Sequence, residues 1–190
     1  RSLLAIFCVA VGVMAIVALQ LVGLSINQAL IGNIASANGG DIRVNADIAP
    51  LRPKDLTIFS QLLQAHRITA YATTYDTNAH ITLSPSHEER FDLLAISSNY
   101  PLIGHVNLLS PSQNLPLSQV VTGNHVAVSA RVLTALSAHI GSTYLVNTFD
   151  NRQFPITIAA SFSESGSLRG SLMLISQNTL ATLPTSDGTL

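Results

Sequence analysis

Residues Leu3–Leu24, LLAIFCVAVGVMAIVALQLVGL, form an unbroken apolar run around which the rest of the chain is organised. The run has 22 residues, one polar side chain, Gln20, and no charge. As a helix rising about 1.5 Å per residue it would cover roughly 33 Å, enough for a hydrocarbon core of roughly 30 Å. The hydrocarbon core holds no water to bond backbone N–H and C=O groups, so a single segment can span the bilayer only as a helix, which satisfies its own hydrogen bonds. The run therefore predicts a transmembrane helix.

Two other interpretations of the apolar run fit less well. A buried helix of a soluble protein is usually shorter and carries a polar face. A secretory signal has an apolar stretch of about 7–15 residues, shorter than this run, and the A-x-A sequence at Ala35–Ala37 lies well beyond its end. We therefore expect an uncleaved anchor. Arg1 precedes the run and the next charge is Asp41, so the positive-inside rule predicts a cytoplasmic N-terminus.

The composition narrows the classes of function. Only 10% of the residues are charged, against a usual share of about 25%, and 47% are hydrophobic. The net charge is −1 and no basic cluster occurs, so nucleic acid is not an expected partner. The single cysteine, Cys8, lies inside the apolar run, so the chain has no disulfide framework of its own.

The glycines that follow the helical region mark a boundary. Helical spacing of apolar residues continues over Ser25–Ala37 and predicts an amphipathic stalk that prolongs the membrane helix. Asn38-Gly39-Gly40 ends it, because glycine adopts the left-handed conformation found at helix C-termini. We therefore divide the chain into a transmembrane helix and stalk, residues 1–38, and an extracytoplasmic domain, residues 39–190.

The domain after this boundary is expected to be α+β. Short strand and helix patterns alternate there without regular βαβ order. Asp41–Asn45 predicts a strand, and Ile68–Leu83 predicts a hairpin that turns at Asp76-Thr77-Asn78. Ser142–Phe149 and Gln153–Phe162 predict a second hairpin. Helices are expected over Lys54–Ala65, Leu117–Val121, Ala130–His139 and Gln177–Leu183.

The sequence offers no convincing catalytic, metal or cofactor site. His87-Glu88-Glu89 is the cluster most like a set of metal ligands. No two histidines stand closer than seven residues apart, however, whereas zinc sites often contain a closely spaced pair. Neither the G-x-S-x-G turn of a serine nucleophile nor a phosphate-binding glycine loop occurs. We therefore expect no catalytic residue, no metal, no cofactor and no enzymatic activity.

Four segments, in this order, resemble a known family. Gly39–Val44, GGDIRV, resembles the start of the extracytoplasmic domain in FtsX/MacB-type ABC-transporter permeases. Asn99–Val106, NYPLIGHV, resembles that family's YPLYG-x-V, and His125–Val146 and Gly170–Leu183 resemble its later strand and helix units. Within the group, the chain is most similar to permeases predicted to accompany lysophospholipase-type esterases.

This resemblance implies a fold, a location and partners. The fold would be a MacB-like periplasmic core domain behind one transmembrane helix in the cytoplasmic (inner) membrane. The chain would be a segment of a longer permease with further membrane helices after Leu190. ATP would be hydrolysed by a separate cytoplasmic ABC ATPase, and a second permease or a periplasmic protein would be a further partner. The permease would couple that hydrolysis to work on a lipid-like or hydrophobic substrate on the extracytoplasmic side.

Two competing functions remain at this point. A membrane-anchored sensor would bind a small ligand in the outer domain and signal through the helix. A secreted or anchored hydrolase is less compatible with the sequence, because no nucleophile motif occurs. An apolar pocket in the domain would favour the sensor, whereas a domain without one, held on a rigid stalk, would favour the permease.

Overall fold

The computed structural model describes residues 12–25, 39–46, 51, 53–111, 115–149, 152–165 and 168–182. The helices are α1 (residues 12–25), α2 (Pro53–Gln64), α3 (Leu117–Val120), α4 (Ala130–Ala135) and α5 (Gln177–Thr182). The strands are β1 (Thr74–Ser84), β2 (His87–Ile96), β3 (Leu108–Ser110), β4 (His125–Ser129), β5 (Thr143–Thr148), β6 (Gln153–Phe162) and β7 (Leu172–Ser176). This mixture confirms the predicted α+β class of the domain.

Six of the strands form a closed ring. Going around it, β1 pairs with β2, β2 with β7, β7 with β4, β4 with β6, β6 with β5, and β5 returns to β1. The β2–β7 and β4–β6 pairs are parallel and the others are antiparallel. The last contact is short, joining Ala79 to Thr148 and His80 to Asn147. β3 lies outside the ring and pairs with the end of β6.

Apolar side chains project from both faces of the ring and form two cores. Successive side chains of a strand point to opposite faces, so Leu93 of β2 lies in one core and Leu94 in the other. The first core contains residues of all six ring strands and therefore fills the interior, where Val132 of α4 and Leu180 of α5 also pack. The second core lies on the outer face, under α3 and the loop after β2.

A bulge in β6 lets that one strand serve both cores. Ile158 pairs with Val126, but the next residue of β4 pairs with Ala160, so Ala159 is left over. An extra residue in one strand reverses the facing of every residue after it. Ile158 therefore belongs to the first core, whereas Ala160 and Phe162 belong to the second.

A buried serine ties three elements together where β4 ends. The Ser129 hydroxyl donates to the Gly170 carbonyl oxygen at 2.9 Å and accepts from the backbone N–H of Leu172 at 3.3 Å. It also accepts from the backbone N–H of Val132 at 3.4 Å, which makes it the N-cap of α4. The start of α4 is thereby fixed against the start of β7.

The predicted hairpin over Ile68–Leu83 is wrong. β1 runs straight through residues 76–78 and turns at residues 85–86 to pair with β2. The polar residues that resembled a turn sit on the outer face of a strand, because Asp76 and Asn78 are exposed while Ala79 and Ile81 face the ring interior. The second predicted hairpin is confirmed by the antiparallel pairing of β5 with β6.

The N-terminal region is described only in part. Residues 12–25 are helical and all are exposed, with Leu19 at 73% and Met14 at 66%. Within the described ranges, no helix combines the length and apolar character needed to cross a membrane. The rest of the predicted transmembrane run and the predicted stalk after Ser25 lie outside the described residues.

Candidate functional site

The Gly-Gly pair that ends the predicted stalk is docked onto the domain. Gly39 and Gly40 are both buried, although residues 41–46 immediately after them are exposed. Gly39 has a φ of +70°, and a Cβ placed on it would lie 3.0 Å from Tyr100 Cε2 and 3.3 Å from Pro101 Cβ. Position 39 therefore requires glycine for two reasons: its backbone conformation is left-handed, and its neighbours leave no room for a side chain.

Backbone hydrogen bonds fix the same contact. The Gly39 carbonyl oxygen accepts from the N–H of Leu102 at 2.8 Å and from the N–H of Ile103 at 3.2 Å. Gly40 lies against Leu102, whose Cδ1 would be 3.9 Å from an added Cβ. We call this contact between residues 39–40 and residues 100–103 the junction. It brings together the GGD and YPLIG segments, which stand about 60 positions apart in the chain.

The loop on the domain side of the junction is braced. It leaves β2 at Ser97, whose hydroxyl accepts from the N–H of Thr73 at 3.0 Å and donates to Asn99 Oδ1 at 2.8 Å. The Asn99 amide in turn donates to the carbonyl oxygen of Tyr71 at 2.8 Å. Tyr100 packs on the second core. The junction is thus continuous with the folded interior.

The segment that follows the junction has no regular secondary structure. Residues 41–45, over which a strand is predicted, form no strand and pair with no other strand among the described residues. Ile42 and Val44 expose 84% and 58% of their surface, and Arg43 Nε donates to Asn45 Oδ1 at 3.0 Å. The predicted strand at Asp41–Asn45 is therefore wrong.

One acidic group near this segment is perturbed. Desolvation by its surroundings, followed by the negative charge of Asp92, raises the pKa of Asp76 above its ordinary value of 3.8. The positive charge of Arg43 acts in the opposite direction. Asp76 and Asp92 share the outer face of the β1–β2 hairpin, which explains why they influence each other.

The candidate metal-ligand cluster, residues 87–89, lies at the start of β2 and does not form a metal site. His87 and Glu89 point to the same side of the strand, with His87 Nε2 3.1 Å from Glu89 Oε1, while Glu88 and Arg90 approach to 4.0 Å. Over the described parts of the chain, no group of three His, Cys, Asp or Glu side chains is arranged to hold a metal ion. Gln20, the polar residue of the apolar run, is exposed on α1.

Comparison with known proteins assigns the family. Residues 2–188 match the family model described as the MacB-like periplasmic core domain, which is nearly the whole chain. The chain belongs to this family. As a MacB-like periplasmic core domain it is the periplasmic part of an FtsX/MacB-type ABC-transporter permease, as the resemblance implied. No curated protein matches the chain.

Two solved structures are similar to this MacB-like domain. The extracellular domain of the noncanonic ABC-type transporter YknZ from Gram-positive bacteria is 14% identical, with a TM-score of 0.48 and 73% of each chain covered. The periplasmic region of MacB from Actinobacillus actinomycetemcomitans is 13% identical, with a TM-score of 0.41 and coverage of 70% of this chain and 66% of that one. The family assignment rests on the match of the family model.

Proposed function

We propose that this MacB-like domain is the head of a permease in which an N-terminal lever drives the domain. Residues 1–38 would form the transmembrane helix and stalk, with the N-terminus in the cytoplasm, and residues 39–190 the periplasmic head. A separate cytoplasmic ABC ATPase would move the lever. The head would then work on a lipid-like or hydrophobic substrate at the outer surface of the membrane, without catalysis of its own.

The observation that carries this proposal is the junction. A lever transmits movement only if its end is fixed to the body that it moves. Two hydrogen bonds, at 2.8 and 3.2 Å, and the contact of Gly39 with Tyr100 attach Gly39, the residue that would follow the stalk, to a loop that is braced on the domain. A freely jointed linker would instead be exposed and without such contacts.

Two features support the membrane part of the proposal. The apolar run is long enough for a bilayer, and a continuous helix from Leu3 to Ala37 would reach roughly 50 Å at about 1.5 Å per residue. The apolar side chains of α1 are exposed in the described structure, and exposed apolar surface of this kind favours a lipid or protein environment.

The sensor hypothesis predicted an apolar pocket in the domain. Two depressions on the described part of the surface are open to solvent, and polar or charged residues outnumber apolar residues in both linings. Neither has the enclosed apolar character of a site for a hydrophobic small molecule. This difference favours the permease over a sensor of apolar ligands.

Loosening the lever tests the proposal. In the complete permease with its ATPase, a flexible Gly-Ser segment inserted after Ile26 should leave ATP hydrolysis in place. It should, however, abolish the ATP-driven release of a fluorescent phospholipid from proteoliposomes. The reason is that a random coil transmits far less displacement than a helix.

The matched control is the same insertion in a part of the head that is remote from the lever. The turn between β1 and β2 is suitable, and an insertion after Ser86 falls in an exposed connection that tolerates added length. Release should continue in this control. Full phospholipid release from the variant with the insertion after Ile26 would refute the lever.

A further inference from the structure

A polar groove opens beside the loop that forms the junction. It has a volume of about 500 Å³, within the range of about 300–1,000 Å³ that ligand sites occupy. It lies where β2 and β7 end, between the start of α5, one end of α3 and the turn before β4. Four serines, three threonines and two asparagines contribute to its lining, although their carbon atoms, together with Ile96 and Val121, make more of the exposed lining apolar than polar.

Several of these polar side chains are available to a ligand. Within the described residues, six make no side-chain hydrogen bond to another residue, so they offer their donors and acceptors to solvent. They are Ser98, Ser118, Thr122, Asn124, Ser176 and Asn178. The groove wall itself is fixed, because the Thr179 hydroxyl donates to the Gly123 carbonyl oxygen at 2.8 Å and joins α5 to the turn before β4.

The chemistry of the lining selects for a class of ligand. None of the described residues that line the groove is charged, so a charged ligand would lose hydration without gaining a partner of opposite charge. Hydroxyl and amide groups both donate and accept, which matches a ligand with many hydroxyl groups. We propose that the groove binds a neutral saccharide, with the serine and asparagine side chains exchanging hydrogen bonds with its hydroxyls.

A peptide fits this groove less well. One recurring way in which an extended peptide binds is by adding a strand to an unpaired sheet edge. Both strands that end at the groove are paired on each side: β2 with β1 and β7, and β7 with β2 and β4. The groove thus offers side-chain groups rather than a row of free backbone groups.

The groove also touches the junction loop, and this gives the saccharide a consequence that rests on the proposed function. Ser97 and Ser98 line the groove, and the Ser97 hydroxyl braces the loop by donating to Asn99 Oδ1. Asn99 alone separates these serines from the junction, which begins at Tyr100. A bound saccharide would therefore order the loop through which the stalk pulls on the head.

Binding is tested on the full chain in an amine-oxide detergent, which carries no sugar head group. Maltose, lactose and N,N′-diacetylchitobiose are titrated to millimolar concentrations while backbone amide NMR shifts are recorded. At least one of these disaccharides should shift the amides of Ser97–Tyr100 and Gln177–Thr182. The charged disaccharide digalacturonate should not. Groove shifts with digalacturonate but with no neutral disaccharide, with the peptide Ala-Ala-Ala alone, or with none of these probes would overturn the proposal.

Two neighbouring residues of α3 provide a matched pair of variants. Ser118 lines the groove, whereas Gln119 is exposed beside it and does not. Ser118→Trp should fill the groove and weaken binding at least about tenfold, and Gln119→Trp should change it by less than about twofold. If Ser118→Trp does not fold, Asn178→Asp places a charge in the groove at unchanged size and should weaken binding as well. Unchanged binding in the folded groove variant would overturn the assignment.

The binding assay needs neither the ATPase nor transport. Saccharide binding that fails in this assay leaves the lever proposal untouched. Conversely, phospholipid release that survives the insertion after Ile26 would remove the lever and leave the groove as a binding site only. The lever and the saccharide site can therefore be refuted independently of each other.

Discussion

Gly39 is the residue at which the predicted stalk and the head meet, and two separate constraints act on it. Its φ of +70° falls in the left-handed region, where a side chain costs roughly 1–2 kcal/mol. In addition, an added Cβ would press on the ring of Tyr100 at 3.0 Å. Gly123 shares the first constraint, with a φ of +53°, but an added Cβ there would meet nothing within 4 Å.

Comparing Gly39 with Gly123 distinguishes the cost of the backbone conformation from the cost of the close contact. Gly39→Ala should lower the free energy of unfolding by about 2–3 kcal/mol, and Gly123→Ala by about 1 kcal/mol, since only the first also displaces a neighbour. Chemical denaturation of both variants measures the difference. Equal losses would show that Tyr100 makes room for the added Cβ without cost and would contradict the second constraint.

Asp76 carries a pH dependence whose sign follows from its raised pKa. A folded-state pKa above 3.8 means that the folded state binds more protons than the unfolded state between the two values. Stability from this group is therefore highest below pH 3.8 and falls as the pH rises through the raised pKa. Asp76→Asn should stabilise the domain at pH 7, by less than about 1 kcal/mol because the side chain is exposed and screened.

Denaturation of this variant and of the parent chain at pH 7 and at pH 3 checks the sign. The stabilisation should shrink or vanish at pH 3, where the parent carboxyl is also protonated. Arg43→Ala removes the one opposing positive charge and should enlarge the effect at pH 7. A variant that is less stable than the parent chain at pH 7 would contradict the raised pKa.

At the scale of elements, Ser129 joins β4, α4 and β7 through one buried hydroxyl. Ser129→Ala would leave the backbone N–H groups of Val132 and Leu172 and the carbonyl oxygen of Gly170 without this partner. A buried group left unsatisfied costs about 1–3 kcal/mol. We expect a loss of about 2–3 kcal/mol by thermal or chemical denaturation.

Thr134→Ala is the matched control for this serine. Its hydroxyl also makes a hydrogen bond, to the Ala130 carbonyl oxygen at 2.9 Å, but it does so on the exposed side of α4. Water replaces such a bond, so the expected change is within about 0.5 kcal/mol. If both substitutions had the same small effect, the serine would not be a structural link between the elements.

The strands show which part of the fold the sequence could predict. Alternation marks β5 and β6 correctly, because apolar residues such as Val146 and Ile156 fall at every second position. Buried and exposed residues alternate in β1 as well, but the polar composition of residues 76–78 predicts a turn there instead of a continuous strand. Composition cannot separate a turn from the solvent face of a strand, since both are polar.

The bulge at Ala159 and the closure of the ring were beyond prediction for another reason. Both depend on which strands are neighbours, and parallel pairs such as β2 with β7 join segments that are distant in the chain. Local patterns carry no information about that choice. The predicted helix over Ala130–His139 is too long at its C-terminal end. α4 ends at Ala135, and Ala138 is buried in the segment that follows the helix.

At the scale of the whole molecule, the junction was present in the sequence as two separate motifs. The GGD and YPLIG segments were each recognisable, but nothing in the sequence says that Gly39 lies on Tyr100. Only the fold brings them together, because the loop after β2 passes over the second core at that point. The groove was equally hidden, since its polar residues come from four separate stretches of the chain.

Removing the aromatic side of the junction tests coupling in the complete permease. Tyr100→Ala, assayed with the ATPase in proteoliposomes, should reduce the phospholipid released per ATP hydrolysed by at least about fivefold while hydrolysis continues, because the contact that fixes Gly39 to the loop is lost. Tyr144→Ala is the control, because Tyr144 is also partly buried but packs on the first core. A similar loss in both variants would indicate general destabilisation instead of uncoupling.

The closed ring also determines where the head would yield under tension. β1 is joined to β2 by ten residue pairs but to β5 by only two, Ala79 with Thr148 and His80 with Asn147. β4 and β7 are also joined by only two pairs. These two short pairings divide the ring into two groups of three strands, β1, β2 and β7 on one side and β4, β5 and β6 on the other. A pull that enters through the loop after β2 should therefore separate the ring at both short pairings, and single-molecule stretching from residue 39 would record that separation as the first event.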